Sequence, residues 1–377
     1  MLLLCYEAGF LKPADHPNAY LTETMHIPDG YLSPSTCATL YAGATPFWYV
    51  SLQKMKRRLN TQAVPLLSVF AAFSFVIMMF NLPLPGGTTG HAVGVALAAI
   101  VLGPWASILA ISVALVIQAI FFGDGGITAI GANCFNMAIV GSLVAYAVYR
   151  LLAGRAPIES PRRVIAAAIA GYTAINASAL FAAFEFGIQP MLFHDVSGAP
   201  LYAPYPLHIA VPAMMIGHLT VAGLAEMIVS GGVVAYLQRA EPTLLQTTAP
   251  GASLDGEVAL GFKNARPLWI ALAVLLILTP LGILAAGAAW GEWVPADFST
   301  PQARQQIAAV SGNQAPPMQA PAGLQKLAAV WTAPMPRYAP PVLKSAQLGY
   351  ILSAMLGTGL IVLAFLGGSW IFSRPRS

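Results

Sequence analysis

Long apolar stretches separated by short polar ones set the pattern of this chain. Runs at about 35–54, 63–81, 104–122, 129–151, 163–186, 208–237, 267–290 and 346–372 each predict a membrane-crossing helix. A bilayer core of about 30 Å takes roughly 20 helical residues. A shorter apolar segment, 91–103, lies between Gly-rich sequence and Gly103-Pro104. It predicts a ninth, broken or re-entrant helix whose irregular ends are buried in protein, because lipid-exposed loops do not occur at that depth.

The polar stretches carry the basic residues. Lys54, Lys56, Arg57 and Arg58 form one cluster and Arg150, Arg155, Arg162 and Arg163 a second, followed by Arg239, Lys263 with Arg266, and Arg374 with Arg376. Placing all of them in the cytoplasm requires nine crossings, an outside N-terminus and a cytoplasmic C-terminus, and so requires 91–103 to cross. The expectation is an all-α polytopic membrane protein. Residues 240–262, polar and Gly/Thr-rich, read as a cytoplasmic linker. It separates a seven-helix unit, 25–239, from a transmembrane hairpin, 263–377, whose outside loop at about 291–345 is rich in Pro, Ala and Gln and expected to be partly irregular. No internal repeat suggests an inverted-repeat transporter.

Composition agrees. Of 377 residues, 57% are hydrophobic and 8% charged, against about 25% charged in soluble domains; mean hydropathy is +0.70. The net charge of +4 resides in loop Lys and Arg and does not indicate a nucleic-acid partner. Cys5, Cys37 and Cys134 have no ligand spacing, and the latter two fall in predicted helices, so no disulfide framework is expected. No Gly-Lys pair occurs, so the phosphate loop of an ATPase is absent. Residues 1–24 make a poor signal peptide: the apolar run at 2–4 is short, no basic residue precedes it, and 21–24 is a poor cleavage site. The stretch reads as a mis-assigned start ahead of Met25, with a disordered extension as the alternative.

Candidate chemistry concentrates near Met25-His26-Ile27-Pro28-Asp29-Gly30. If Met25 is the first residue, its amine, the His26 amide nitrogen and the His26 imidazole close fused chelate rings on one metal ion, a nitrogen set that suits Ni(II) or Cu(II). The Gly-rich loop 81–90 delivers His91 to the same side, where glycines permit close backbone approach, so a fourth nitrogen is available. His194 and His208 flank a Pro-rich loop, to capture metal or simply be solvated. His218 lies inside a span with Glu226 two turns on. Ionisable residues there suggest function; a helix-positioning His–Glu or His–backbone hydrogen bond is the alternative, and Glu226 is expected far below the metal site. Asn133 and Asn136, with Gln118 on the preceding helix, read as interhelical glue or as groups orienting His91 or the Met25 terminus.

These motifs resemble the CbiM/NikM family, the substrate-binding components of energy-coupling factor transporters for cobalt and nickel. The likeness rests on 25–30, on Gly86-Gly87-Thr88-Thr89-Gly90-His91, on 125–133 with Asn136-Met137, and on the His218 helix. It covers about 25–239 and implies Met25, His26 and His91 as ligands of Ni(II) or Co(II), the transported substrate, with no permanent cofactor. The hairpin, with 279–282, 289–293 and 348–350, resembles the small CbiN/NikN-type accessory subunit. The resemblance also implies two partners, a transmembrane coupling subunit and cytoplasmic ATPase subunits, and hence no enzyme activity in this chain. The rival readings are a stand-alone metal permease or channel and an intramembrane metallo-hydrolase; the latter lacks H-E-x-x-H.

Overall fold

The computed structural model describes residues 26–56, 64–249, 262–285, 287–339, 343 and 345–373. Among the described residues, each of the nine expected apolar segments contains a helix. They are α1 (Pro34–Lys56), α2 (Val64–Met78), α3 (Val95–Leu102), α4 (Pro104–Phe122), α5 (Ile130–Ala153), α6 (Pro161–Leu192), α7 (Leu207–Ala240), α8 (Phe262–Leu278) and, after the 291–345 region, α11 (Ala346–Ser373). Among the described residues, six helices are long and apolar enough to cross a membrane: α4 to α7, α8 with its following turn, and α11. Helix α2 has 15 residues. Helix α3 has eight, about 12 Å at 1.5 Å per residue, so helix alone takes that segment through less than half a bilayer core.

α3 sits at the centre of the bundle. Val95 to Val101 are all buried, against α4, α5, α6 and α7, and glycines with positive φ precede and follow it, Gly94 at +71° and Gly103 at +81°. Small residues bring α6 close to α7: Ala167, Ala170, Gly171 and Ala174 are buried, and a Cβ on Gly171 would lie 2.5 Å from Ser230 Oγ. Such close approach is how helices associate where lipid removes the hydrophobic drive. Three helices slip into π geometry, at Gln118–Phe122 in α4, Cys134–Val140 in α5 and His218–Ala222 in α7. π-Bulges favour functional positions, and these hold Gln118, Asn136 and His218. Cys37 and Cys134 are buried free thiols.

At the basic end, Arg163 is fully buried and tied to the Tyr149 hydroxyl at 3.1 Å, Ala156 O at 3.0 Å and Thr248 O at 2.5 Å. It fastens Pro242–Thr248, the first part of the linker segment, which forms a 3₁₀ turn with Leu244 and Leu245 buried.

The C-terminal hairpin packs α8 and α11 on α2. Its connecting region, expected to be partly irregular, contains two short helices, α9 (Pro301–Val310) and α10 (Ala322–Leu327). Trp290, Trp293, Phe298 and Leu324 there join Tyr31, Phe186 and Tyr205 of the first unit in one apolar cluster.

Candidate metal centre

The stretch after His26 is fixed by its backbone. Ile27 N–H donates to Asn133 Oδ1 at 3.0 Å and Asn133 Nδ2 donates to Ile27 O at 3.1 Å. Gly126 N–H also donates to Ile27 O, at 2.9 Å. The Asp29 carboxylate accepts from the N–H groups of Ile127 and Thr128, at 3.1 and 2.8 Å, and from the Thr128 hydroxyl. A Cβ on Gly126 would sit 2.3 Å from Asp29 N, so only glycine admits this contact. Tyr31 donates to Trp293 O at 2.9 Å; burial holds its phenol well above the ordinary value.

His91 arrives on a short hairpin. Strands β1 (Leu82–Leu84) and β2 (Thr88–Gly90) pair antiparallel with Leu82 opposite Gly90, through a turn where Gly86 and Gly87 have φ of +87° and +85°. The C-terminal hairpin lies alongside β2: Thr89 donates its N–H to Ala288 O at 3.3 Å and its hydroxyl to Gly287 O at 2.9 Å.

The rings of His26 and His91 face each other edge-on, with centroids 5.2 Å apart at 73°. His26 is 3% exposed, yet neither of its ring nitrogens makes an aligned hydrogen bond. Nδ1 lies 3.0 Å from Asp124 Oδ1; Nε2 is buried and has no hydrogen-bond partner among the described residues. His91 Nδ1 is 3.0 Å from Ala92 O. A carbonyl only accepts, so Nδ1 donates there, the tautomer that leaves the ring's lone pair on Nε2. Both rings line a cavity of about 710 Å³ shared with Asn133, Asn136, His208, His218, Met214 and Glu292.

The other expected site residues separate. Met25 lies outside the described residues. Asn133 holds the His26 segment, whereas Asn136 donates to Glu185 at 2.8 Å between α5 and α6. His218 reaches the cavity wall and donates from Nδ1 to Met214 O at 2.9 Å, the His–backbone alternative. His194 is kept away by its loop, bridging to Pro200. Glu226 is not remote from the centre, contrary to expectation. Its carboxylate accepts from the N–H groups of Val93 and Gly94 at 2.7 and 2.9 Å, two and three residues after His91, because α3 starts deep in the bundle beside α7. That carboxylate caps the positive end of α3 and so is not poised as a hydrolase base.

Sequence reasoning missed Asp124, Glu185 and Glu292. Asp124 could have been found as a lone acid between Gly123 and Gly125 in a chain with only 14 acidic residues. Among the described residues, no three His, Cys, Asp or Glu side chains are set to hold one ion. A metal site built on the two imidazoles would therefore need backbone, amine or water donors as well.

Residues 26–244 match the CbiM family, the cobalt uptake substrate-specific transmembrane region. The chain belongs to that family. Residues 265–374 match the PDGLE domain. The CbiM region thus carries His26 and His91, and the PDGLE region supplies Glu292 to the cavity wall. The fused nickel transport protein NikMN of Rhodobacter capsulatus is 57% identical over 338 residues, covering 90% of this chain and 95% of that protein. The probable fused nickel transport protein LarMN of Lactiplantibacillus plantarum is 46% identical over 286 residues, covering 75% and 82% respectively. A crystal structure of a truncated transition metal transporter aligns with a TM-score of 0.53 at 51% identity, covering 56% of this chain and 98% of that one. As a CbiM-family protein with six membrane-length apolar helices, the chain is a multi-pass membrane component of nickel/cobalt transport.

Proposed function

We propose that this chain is the substrate-binding membrane component of an ATP-driven importer of the energy-coupling factor type, and that His26 and His91 hold Ni(II) or Co(II). One observation carries the reading: a buried imidazole with no aligned hydrogen bond among the described residues packs edge-on against a second imidazole, and both line a cavity of about 710 Å³. Buried polar atoms almost always find partners, and a buried ring nitrogen beside another histidine suits a metal ligand.

The remaining donors in this reading are the Met25 amine and the His26 amide. A chelate that includes the His26 amide closes through Nδ1, where the Asp124 carboxylate lies 3.0 Å away and offsets part of the ion's charge. The seven-helix unit, 25–239, binds the ion with its N-terminus outside, and the hairpin, 263–377, with its C-terminus in the cytoplasm, walls the cavity. A transmembrane coupling subunit and cytoplasmic ATPase subunits, in a prokaryotic cell membrane, then turn the loaded site inward.

The test is titration of the purified full chain and of a form beginning at Met25 with Ni(II) and Co(II), followed by uptake into vesicles. Stoichiometric binding, with uptake only when ATPase partners and ATP are present, is expected. No binding by either form sinks the metal reading; uptake without nucleotide leaves a stand-alone permease.

A further inference from the structure

Besides Glu292 on the cavity wall, the PDGLE region touches the surroundings of His26 through Tyr338. Tyr338, just before α11, donates its hydroxyl to Asp124 Oδ2 at 2.5 Å, across 214 residues of sequence. Asp124 Oδ1 is the atom 3.0 Å from His26 Nδ1. Gln118 Nε2 donates to the same Oδ2, at 3.3 Å, and lies 3.0 Å from the Tyr338 hydroxyl. Tyr338, Asp124 and His26 are 3%, 2% and 3% exposed, so water does not compete for these contacts. Burial also raises the phenol pKa far above its ordinary value, so the hydroxyl keeps the proton that it donates.

The backbone around Tyr338 is bent to make this contact. Arg337 and Tyr338 both adopt positive φ, 56° and 57°, a left-handed conformation that non-glycine residues enter at a cost and that clusters at functional sites. It is held by Ser353 Oγ donating to Tyr338 O at 2.9 Å and by stacking on Phe122, centroids 4.9 Å apart. A ring present only to fill space would need no hydroxyl aimed at a buried carboxylate.

We propose that Tyr338 is a positioning residue for the metal centre: its hydroxyl fixes the Asp124 carboxylate, which sets the negative charge beside the ion that takes His26 Nδ1. The hairpin therefore sets the affinity of a site whose ligands all lie in the other region. This rests on His26 being a metal ligand. Partners just outside a metal's ligands are worth about 10- to 100-fold in affinity, and a group acting through one of them belongs at the lower end.

The experiment is Co(II) titration of the full chain in detergent, reading both affinity and the visible ligand-field spectrum. Tyr338→Phe keeps the stacked ring and should weaken binding about 10-fold, with a shifted spectrum. Asp124→Asn should weaken it at least as much, and adding Tyr338→Phe to Asp124→Asn should cost nothing more, since the two act as one unit. Trp331→Phe, which breaks another hairpin contact, the 2.9 Å bond to Ile120 O, should change neither readout. Wild-type affinity and spectrum in Tyr338→Phe, or a strictly additive double variant, overturn the proposal. If Tyr338→Phe does not fold, Asp124→Asn alone decides by the same readouts, and a wild-type affinity there also overturns it. Absence of Co(II) binding by the unmodified chain is a different result, one that removes the metal reading itself.

Discussion

Asn133 grips Ile27 by both backbone polar groups, accepting from its N–H at 3.0 Å and donating to its C=O at 3.1 Å. A side-chain amide here takes the place of a neighbouring strand, and it holds the residue that follows His26. Asn133→Ala should leave a buried N–H unpaired, at about 1–3 kcal/mol. We expect Ni(II) affinity to fall by about tenfold, which corresponds to about 1.4 kcal/mol. Calorimetric titration checks this, and an unchanged affinity would reduce Asn133 to interhelical glue.

His91→Ala removes a ligand in our reading rather than a support. The loss should therefore exceed the ~100-fold that an outer partner typically costs, while the protein still elutes as a folded species. Metal content after desalting distinguishes this from His194→Ala, on a loop that bridges to Pro200, where full occupancy is expected.

Gly126→Ala should be among the most damaging small changes, because the new methyl would lie 2.3 Å from Asp29 N. The 26–30 segment must then move away from 125–128 and take His26 with it. Loss of Ni(II) binding without a matching loss of expression is the expected outcome; wild-type binding would show that the segment need not dock.

Glu226 caps α3 from inside the bundle. Glu226→Ala leaves the N–H groups of Val93 and Gly94 without their carboxylate and should lower stability by about 1–3 kcal/mol, seen as a lower melting temperature in detergent. Glu226→Gln keeps an acceptor oxygen and should lose less. Equal losses would mean that charge at the helix end matters more than the hydrogen bonds.

Binding should also release protons. A form beginning at Met25 must deprotonate an amine and an amide to chelate, so its affinity should rise more steeply with pH than that of the full chain. Parallel titrations at several pH values read this directly, and identical slopes would remove the amine from the site.

The helices and the pairing of His26 with His91 were legible because both depend on local signals: apolar run length, and a glycine-rich approach that lets the backbone come close. The length of α3 was not, since an apolar run of 91–103 does not reveal that its first residues are spent on β-hairpin exit and on bonds to Glu226. Asp124 and Tyr338 escaped for another reason. Each is a single residue whose meaning comes from a partner far along the chain, and periodicity carries no information about such pairs. Asn133 was legible as a candidate, but the choice between glue and orientation needed the position of Ile27.

The distance between Asp124 and Tyr338 along the chain also has a consequence in time. At about 5–20 residues per second, the ribosome makes Tyr338 roughly ten to forty seconds after Asp124, the two being 214 residues apart. Helices α5 to α7 are made within that interval, and until residues 287–288 and then Tyr338 follow them, β2 lacks its strand-like neighbour and the Asp124 carboxylate its phenol donor. The wall of the pocket beside His26 is thus finished by a residue made long after the helices that form the rest of it, so the order of synthesis sets the order in which the pocket takes shape.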